Sequence, residues 1–352
     1  MQNMYFIKKN NSITIWRIFF AYIIVIFHFF NSYGKGSSLY IATDFFFIVS
    51  GFFVAKEASE NVYENSFAMI KYKIKKYYPH YLFSLVVGIL AYMIFQNGAL
   101  PSGREIVTEF TFISMIGINV TKMINVPTWY LSVLLISSYV IYFLYQNYKK
   151  LFVGLICPAT IVIIGTWFYR NLGYLSHSSL GESTTTGIYW NRPLFLGFAM
   201  MCLGVVGYEL LRQGLSLNMG GFCRIIEVIL FLSVPIGAII FRFTSFDFVM
   251  VAMLFIGIVQ GFRNGTCKLA ESRVIKYLSR LSYPLYLNHN MFRELIPCYV
   301  KQFSVAVFVI YLVLVTLYSM LTMLIIDKVI ISIERKCKNG KHNYSSCTSK
   351  RK

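Results

Sequence analysis

The feature that most constrains this chain is a succession of uncharged apolar runs, each long enough to cross a bilayer. Candidate spans fall at residues 13–31, 38–55, 79–97, 127–146, 151–169, 192–211, 224–241, 245–262, 284–302 and 305–332. A helix needs roughly 20 apolar residues to cross ~30 Å of hydrocarbon. Backbone groups in that layer find no water, so a spanning segment is a helix or part of a closed barrel. These runs are continuous, whereas barrel strands alternate with period two. The expected fold is therefore an all-α integral membrane protein, a single bundle of about ten transmembrane helices. Composition agrees: charged residues make up 13% of the chain, against about 25% in an average soluble domain. The first run contains Arg17 and His28 and no small-residue cleavage site follows it. It reads as a retained helix and not as a secretory signal.

The net charge of +19 would suggest nucleic acid in a soluble protein. Here the positive-inside rule accounts for it. With the N-terminus in the cytosol, 25 of the 33 Lys and Arg residues fall on the cytosolic side. Both termini are then cytosolic, and no nucleic-acid partner is implied. Residues 1–333 form the expected transmembrane domain, and residues 334–352 a basic, disordered cytosolic tail. The loop 98–126 has an apolar middle, which suits an interfacial or re-entrant helix. The seven cysteines are scattered and show neither a disulfide nor a metal-ligand pattern.

Ionisable residues inside a membrane helix are costly and usually face the bundle interior or a watery cavity. Arg17 and His28 are 11 residues apart, about 1,100° of helical rotation, within ~20° of three full turns. They share one face of the first helix, offset by roughly 16 Å along the axis. The plainer reading makes Arg17 a snorkelling residue and His28 a satisfied bundle histidine. The functional reading uses Arg17 for phosphate and His28 as a general base. The second span contains Asp44, either a partner for a cation or for His28 or a residue at the water interface, followed by Phe45, Phe46, Phe47, Ser50 and Gly51. Ser and Gly also suit close helix packing. The stretch KYKIKKYYPHY over 71–81 is either a cytosolic anchor or an electropositive lip, with Pro79 starting the next helix. His289 and Arg293 are helical neighbours at i, i+4. With Glu294 they form either the wall of a cavity or an internal ion-paired contact.

Together these motifs resemble the acyltransferase-3 family of membrane acyltransferases. The first helix carries the family's Arg-x10-His pattern as Arg17 and His28. The second carries Phe-Phe-x-x-Ser-Gly-Phe from Phe46 to Phe52, preceded by Asp44. The segment Lys73 to Tyr81 is similar to the family's Arg-x-x-Arg-x-x-Pro-x-Tyr, with Lys73 and Lys76 in place of both arginines. Trp129-Tyr130-Leu131 matches a Trp-x-Leu helix start, and Ser282 to His289 a Ser-Tyr-x-x-Tyr-Leu-x-His element. Many members carry a glutamate where this chain has Leu134.

The resemblance implies acyl transfer, usually of acetyl, from acyl-CoA to a glycan hydroxyl in a bacterial cytoplasmic membrane. Acetyl-CoA would be the donor, held by Arg17, Lys73, Lys76, Ser50 and Gly51. A glycan or lipid-linked saccharide would be the acceptor, held by Trp129, Tyr286 and His289. His28, Arg17 and Asp44 would be the catalytic group, with His28 as base or acyl relay and with no metal. Membrane lipid is the surrounding partner; the pattern sets no oligomeric state. Some relatives carry a further hydrolase-like domain outside the cell. The expectation here is a stand-alone membrane domain that completes transfer itself. Two other classes have similar helix counts. A lipid-linked saccharide transporter or flippase normally shows internal repeats or broken helices, and a glycan polymerase usually relies on a large external loop. Neither signature is evident in the sequence.

Overall fold

The computed structural model describes residues 11–95, 100–114, 123–177, 192–214, 223–265 and 267–348. Among them regular structure is helical throughout. Helix α1 is Ile13–Ser32. A short 3-10 turn, Ser38–Ile41, leads into α2, Ala42–Ser59. Then come α3, Ser66–Phe95, the short α4, Gly103–Phe110, and α5, Thr128–Leu151. After a π turn at Phe152–Ile156 follow α6, Cys157–Asn171, α7, Arg192–Arg212, α8, Cys223–Ile240, and α9, Phe246–Arg263. A single turn, α10, Lys268–Glu271, precedes α11, Arg273–Tyr299, and α12, Val305–Thr348.

Among the described residues, eight segments are long and apolar enough to cross a membrane. One of them, Val126–Asn171, has 46 residues. As a straight rod it would measure ~69 Å, more than twice the hydrocarbon thickness. It bends instead: Tyr148 leaves the helical region (φ −134°, ψ 36°) just before the π turn. Trp129, at the start of α5, packs on His177, just past the end of α6, with ring centroids 5.1 Å apart. The two helices therefore run antiparallel and make two crossings. Helix α11 falls outside the apolar set because it carries Arg, Lys, His and Asn side chains along its length. It nonetheless packs along α1 and against α12 and α3, with Asn288, His289 and Asn290 buried. With Val126–Asn171 counted as two and α11 added to the apolar set, the described residues hold about ten helices fit to cross, in line with the sequence.

Two boundaries differ from expectation for one reason. Pro79 was expected to open a helix and the span 284–302 to begin at Pro284, but both prolines lie inside longer helices. A proline removes one i→i−4 bond and crowds the preceding turn. For Pro79 the freed carbonyl belongs to Lys75, an exposed residue that water can serve. Helix α11 opens instead at Ser272, whose side chain accepts from the Ile275 amide. Residues 334–348, expected to be a disordered tail, continue α12 as backbone helix. No proline interrupts this run, and extending an existing helix avoids the cost of nucleation.

Helix α2 is the most enclosed of the candidate crossings and packs along α7. A Cβ on Gly51 would lie 2.0 Å from the Met201 carbonyl oxygen, and one on Gly204 would lie 2.0 Å from that of Ile48. The two backbones touch because neither residue has a side chain. At the C-terminal ends of α5 and α7, Glu209 receives Tyr145, Lys149 (3.0 Å) and Arg212 (2.9 Å). Glu227 of α8 similarly receives Trp16 (2.7 Å) and Asn264 (2.8 Å).

Candidate active site

Helices α1 and α11 run side by side and bring His28 and His289 together. The two imidazole centroids are 4.9 Å apart, with the rings inclined at 31°. His28 Nδ1 lies 3.5 Å from Arg293 Nη1. Arg293 also reaches Asn290 Oδ1 at 3.3 Å and Glu294 at 3.0 Å. His289 is fully buried, and its Nδ1 is 2.6 Å from the Tyr286 carbonyl oxygen. The i, i+4 spacing of His289 and Arg293 puts both on the side of α11 that meets α1. Arg293 thus joins the site through His28, beyond its ion pair with Glu294.

Three turns back towards the N-terminal end of α1, Arg17 is half-buried. Its guanidinium pairs with no carboxylate among the described residues and lies within electrostatic reach of Tyr130. The Tyr130 hydroxyl is 3.5 Å from Ser50 Oγ, so Ser50 faces the same side of the bundle as Arg17. Gly51 points the other way, into the α7 contact, where it serves packing. Lys73 forms an ion pair with Glu57 at 3.2 Å. Lys76 is exposed, 5.4 Å from the centre of the Tyr77 ring.

Asp44 is not beside His28. It is buried at the start of α2, and its Oδ1 lies 2.7 Å from His177 Nε2. His177 packs on Trp129 and Phe47. Sequence reasoning passed over His177 because its partner is 133 residues away and it sits in an otherwise polar loop. The two histidine clusters are linked along two routes. On one, Trp129, Tyr130, Tyr286 and His289 succeed one another at 6.2, 5.5 and 5.9 Å. On the other, Phe27 lies between His28 (4.9 Å) and Tyr40 (5.9 Å), and the Tyr40 hydroxyl donates to Asp247 at 2.5 Å. Asp247 also accepts from the Leu175 amide at 3.1 Å, two residues before His177. Trp129, Tyr286 and His289 therefore belong to one connected wall.

A second residue missed from the sequence is Glu109 of α4. It is fully buried and accepts from the Ile124 amide (2.5 Å), the Asn125 amide (3.3 Å) and the Thr128 hydroxyl (2.9 Å). Burial pushes its carboxyl up to about 7, against the pull of these donors. The strap it fastens reaches α11 directly. Asn125 donates to the Leu287 carbonyl (3.1 Å), and the Tyr286 hydroxyl donates to that of Pro127 (3.0 Å). The middle of the apolar stretch 110–120, from residue 115 onward, lies outside the described residues. Leu134, where the motif resemblance leads one to expect glutamate, is a buried core residue of α5.

The arrangement can act on a small group between two imidazoles, with a cation one membrane leaflet away. Residues 10–324 match the family described as an acyltransferase domain. Neither a curated protein nor a solved structure matches the chain. The family match spans most of the sequence and coincides with the helical bundle that holds both histidines. The chain thus belongs to the acyltransferase-3 family and is a multi-pass membrane acyltransferase.

Proposed function

We propose that this acyltransferase moves an acetyl group from acetyl-CoA to a hydroxyl of a cell-surface or lipid-linked glycan, in a bacterial cytoplasmic membrane. The observation that carries the reading is the pairing of His28 with His289, with Arg17 left without a carboxylate on the same face of α1. The offset between Arg17 and His28, roughly 16 Å, compares with a pantetheine arm of order 15–20 Å extended. A CoA phosphate at Arg17 would then present its thioester at the imidazole pair. Lys76 adds charge at the cytosolic entrance, and Lys73 adds it by exchanging Glu57 for phosphate. Lysine supplies a point charge where arginine would grip two oxygens.

The acceptor enters from the external side, along the wall of Trp129, Tyr286 and His289. Its hydroxyl loses a proton at the imidazole pair, and its oxygen attacks the thioester carbon. The carbon–sulfur bond breaks, and CoA leaves as the thiol. Asp44 holds His177 at the external end of this wall. A well-placed general base contributes ~10²–10⁴-fold in rate.

The test measures O-acetyl content of surface glycans in cells with the intact gene, with a deletion, and with His28→Ala. Loss of acetyl in both altered strains, with the variant still in the membrane, is expected. Unchanged acetylation in the deletion strain would end this reading, and lipid-linked glycan accumulating in the cytosolic leaflet would favour a flippase.

A further inference from the structure

The hydrogen-bond partners of the two histidines point to which nitrogen of each neutral ring carries the proton. A guanidinium offers donors only. Arg293 Nη1 donates to His28 Nδ1 at 3.5 Å, so Nδ1 holds a lone pair and the His28 proton is on Nε2. A carbonyl oxygen accepts only. His289 Nδ1 meets the Tyr286 carbonyl at 2.6 Å, so Nδ1 carries the proton and Nε2 holds the lone pair. His289 Nε2 is buried and has no hydrogen-bond partner among the described residues. A buried acceptor left unserved is unfavourable and rare, and this lone pair is free to take a donor that the described residues do not supply.

We propose that His289 is the general base of the acyl transfer and that His28 is the hydrogen-bond donor to the developing oxyanion. This assignment rests on the acetyl-transfer reading and reverses the role that the first-helix motif suggests for His28. The acceptor hydroxyl donates to His289 Nε2. As its proton moves to that nitrogen, the hydroxyl oxygen forms a bond to the thioester carbon. The carbonyl oxygen takes the negative charge and receives the His28 Nε2–H. Collapse breaks the carbon–sulfur bond, the sulfur leaves with the electron pair, and His289 returns the proton to it. Both rings end in their starting forms, and ester and CoA thiol are the products. The two ring centroids are 4.9 Å apart, so both imidazoles belong to one site.

Glutamine in place of histidine separates the two roles, because its side-chain amide keeps an N–H donor near the Nε2 position but is no base. Membranes from deletion cells carry the unmodified acceptor, and radiolabelled acetyl-CoA is the donor. The full-length protein and each variant are added in lipid nanodiscs, and CoA binding is measured in parallel by calorimetry. His289→Gln is expected to lower the initial rate at least ~100-fold with CoA binding kept. His28→Gln is expected to lower it no more than about tenfold, since a donor remains. The reverse order, or equal losses, overturns the assignment. Absence of transfer by the wild-type protein overturns the acetyl-CoA reading itself. A variant that no longer binds CoA is replaced by a measurement on the wild type. Nitrogen-15 NMR of histidine-labelled protein, which has five histidines, reads each tautomer directly. Lone pairs at His28 Nδ1 and His289 Nε2 are expected, and the opposite pattern overturns the proposal.

Discussion

Helices α2 and α7 form the most extensive contact in the bundle, and α1 and α11 the next. They are built on opposite terms. At α2–α7 the glycines 51 and 204 let the backbones touch, and the surrounding side chains are Phe52, Met201, Val205 and their like, all buried. At α1–α11 the facing groups are two imidazoles and a guanidinium, and one imidazole nitrogen has no partner among the described residues. A membrane offers little hydrophobic drive between helices, so close packing of small residues carries association. The α2–α7 contact can therefore hold the bundle while the α1–α11 contact carries groups that stability alone would not select. The difference teaches that the family's Ser-Gly-Phe motif and its Arg-x10-His motif do unlike work despite adjacent positions in the chain.

The contrast can be broken most forcefully at Gly51. Gly51→Leu places a side chain where the Met201 carbonyl already stands, and overpacking beyond ~3 kcal/mol is expected. That is a large part of a typical net stability. The variant should lose its monodisperse peak in detergent chromatography; an unchanged melting temperature would show that α2–α7 is not the structural seam. Arg293→Met makes the converse case. It removes the donor to His28 and leaves the glycine contact intact. Acyl transfer should fall at least ~10-fold, while the melting temperature shifts by only a few degrees. Equal loss of stability and activity would erase the distinction.

A third test concerns pH. The Glu109 carboxyl is raised from its ordinary 4.5 to about 7 by burial. A raised value means that protonation favours the folded state. Its contribution is fully present below about pH 4.5 and is lost as pH rises through about 7. The effect is on the order of 3 kcal/mol at most. Thermal stability should fall between pH 5 and pH 8, and Glu109→Gln should flatten the profile. The smallest expected effect is at the cytosolic lip. Glu57→Gln frees Lys73 from a pair worth up to about 1 kcal/mol. The KM for acetyl-CoA should then fall by no more than about fivefold, and a rise would place Lys73 outside the donor site.

Hydropathy made the crossings legible because every residue of a span reports on its solvent. The shared face of Arg17 and His28 was equally legible, since helical geometry alone places it. What the sequence hid depends on contacts between distant segments. Asp44 was noticed, but His177 is 133 positions away and carries no local pattern. Glu109 has no local pattern either, because its carboxylate ties residues 124–128 to α4. The two prolines misled for a local reason: a helix that runs past a proline near a watery boundary can spare the lost bond. The position of Leu134 shows the limit of motif transfer, because an apolar residue there has simply joined the core.

The low hydropathy of α11 has a consequence for how the protein is made. At the centre of a spanning helix a charged residue opposes insertion by about 2.5–3.5 kcal/mol, and α11 carries Arg293 and Glu294 with His289 nearby. Such a segment enters lipid at a cost that neighbouring helices can offset. It enters against helices already in place, α1 above all, and is held there by α12, whose Thr322 accepts from Asn288 at 2.8 Å. The His28–His289 pair can therefore form only once α11 has been made, and a chain stalled before it lacks the pair.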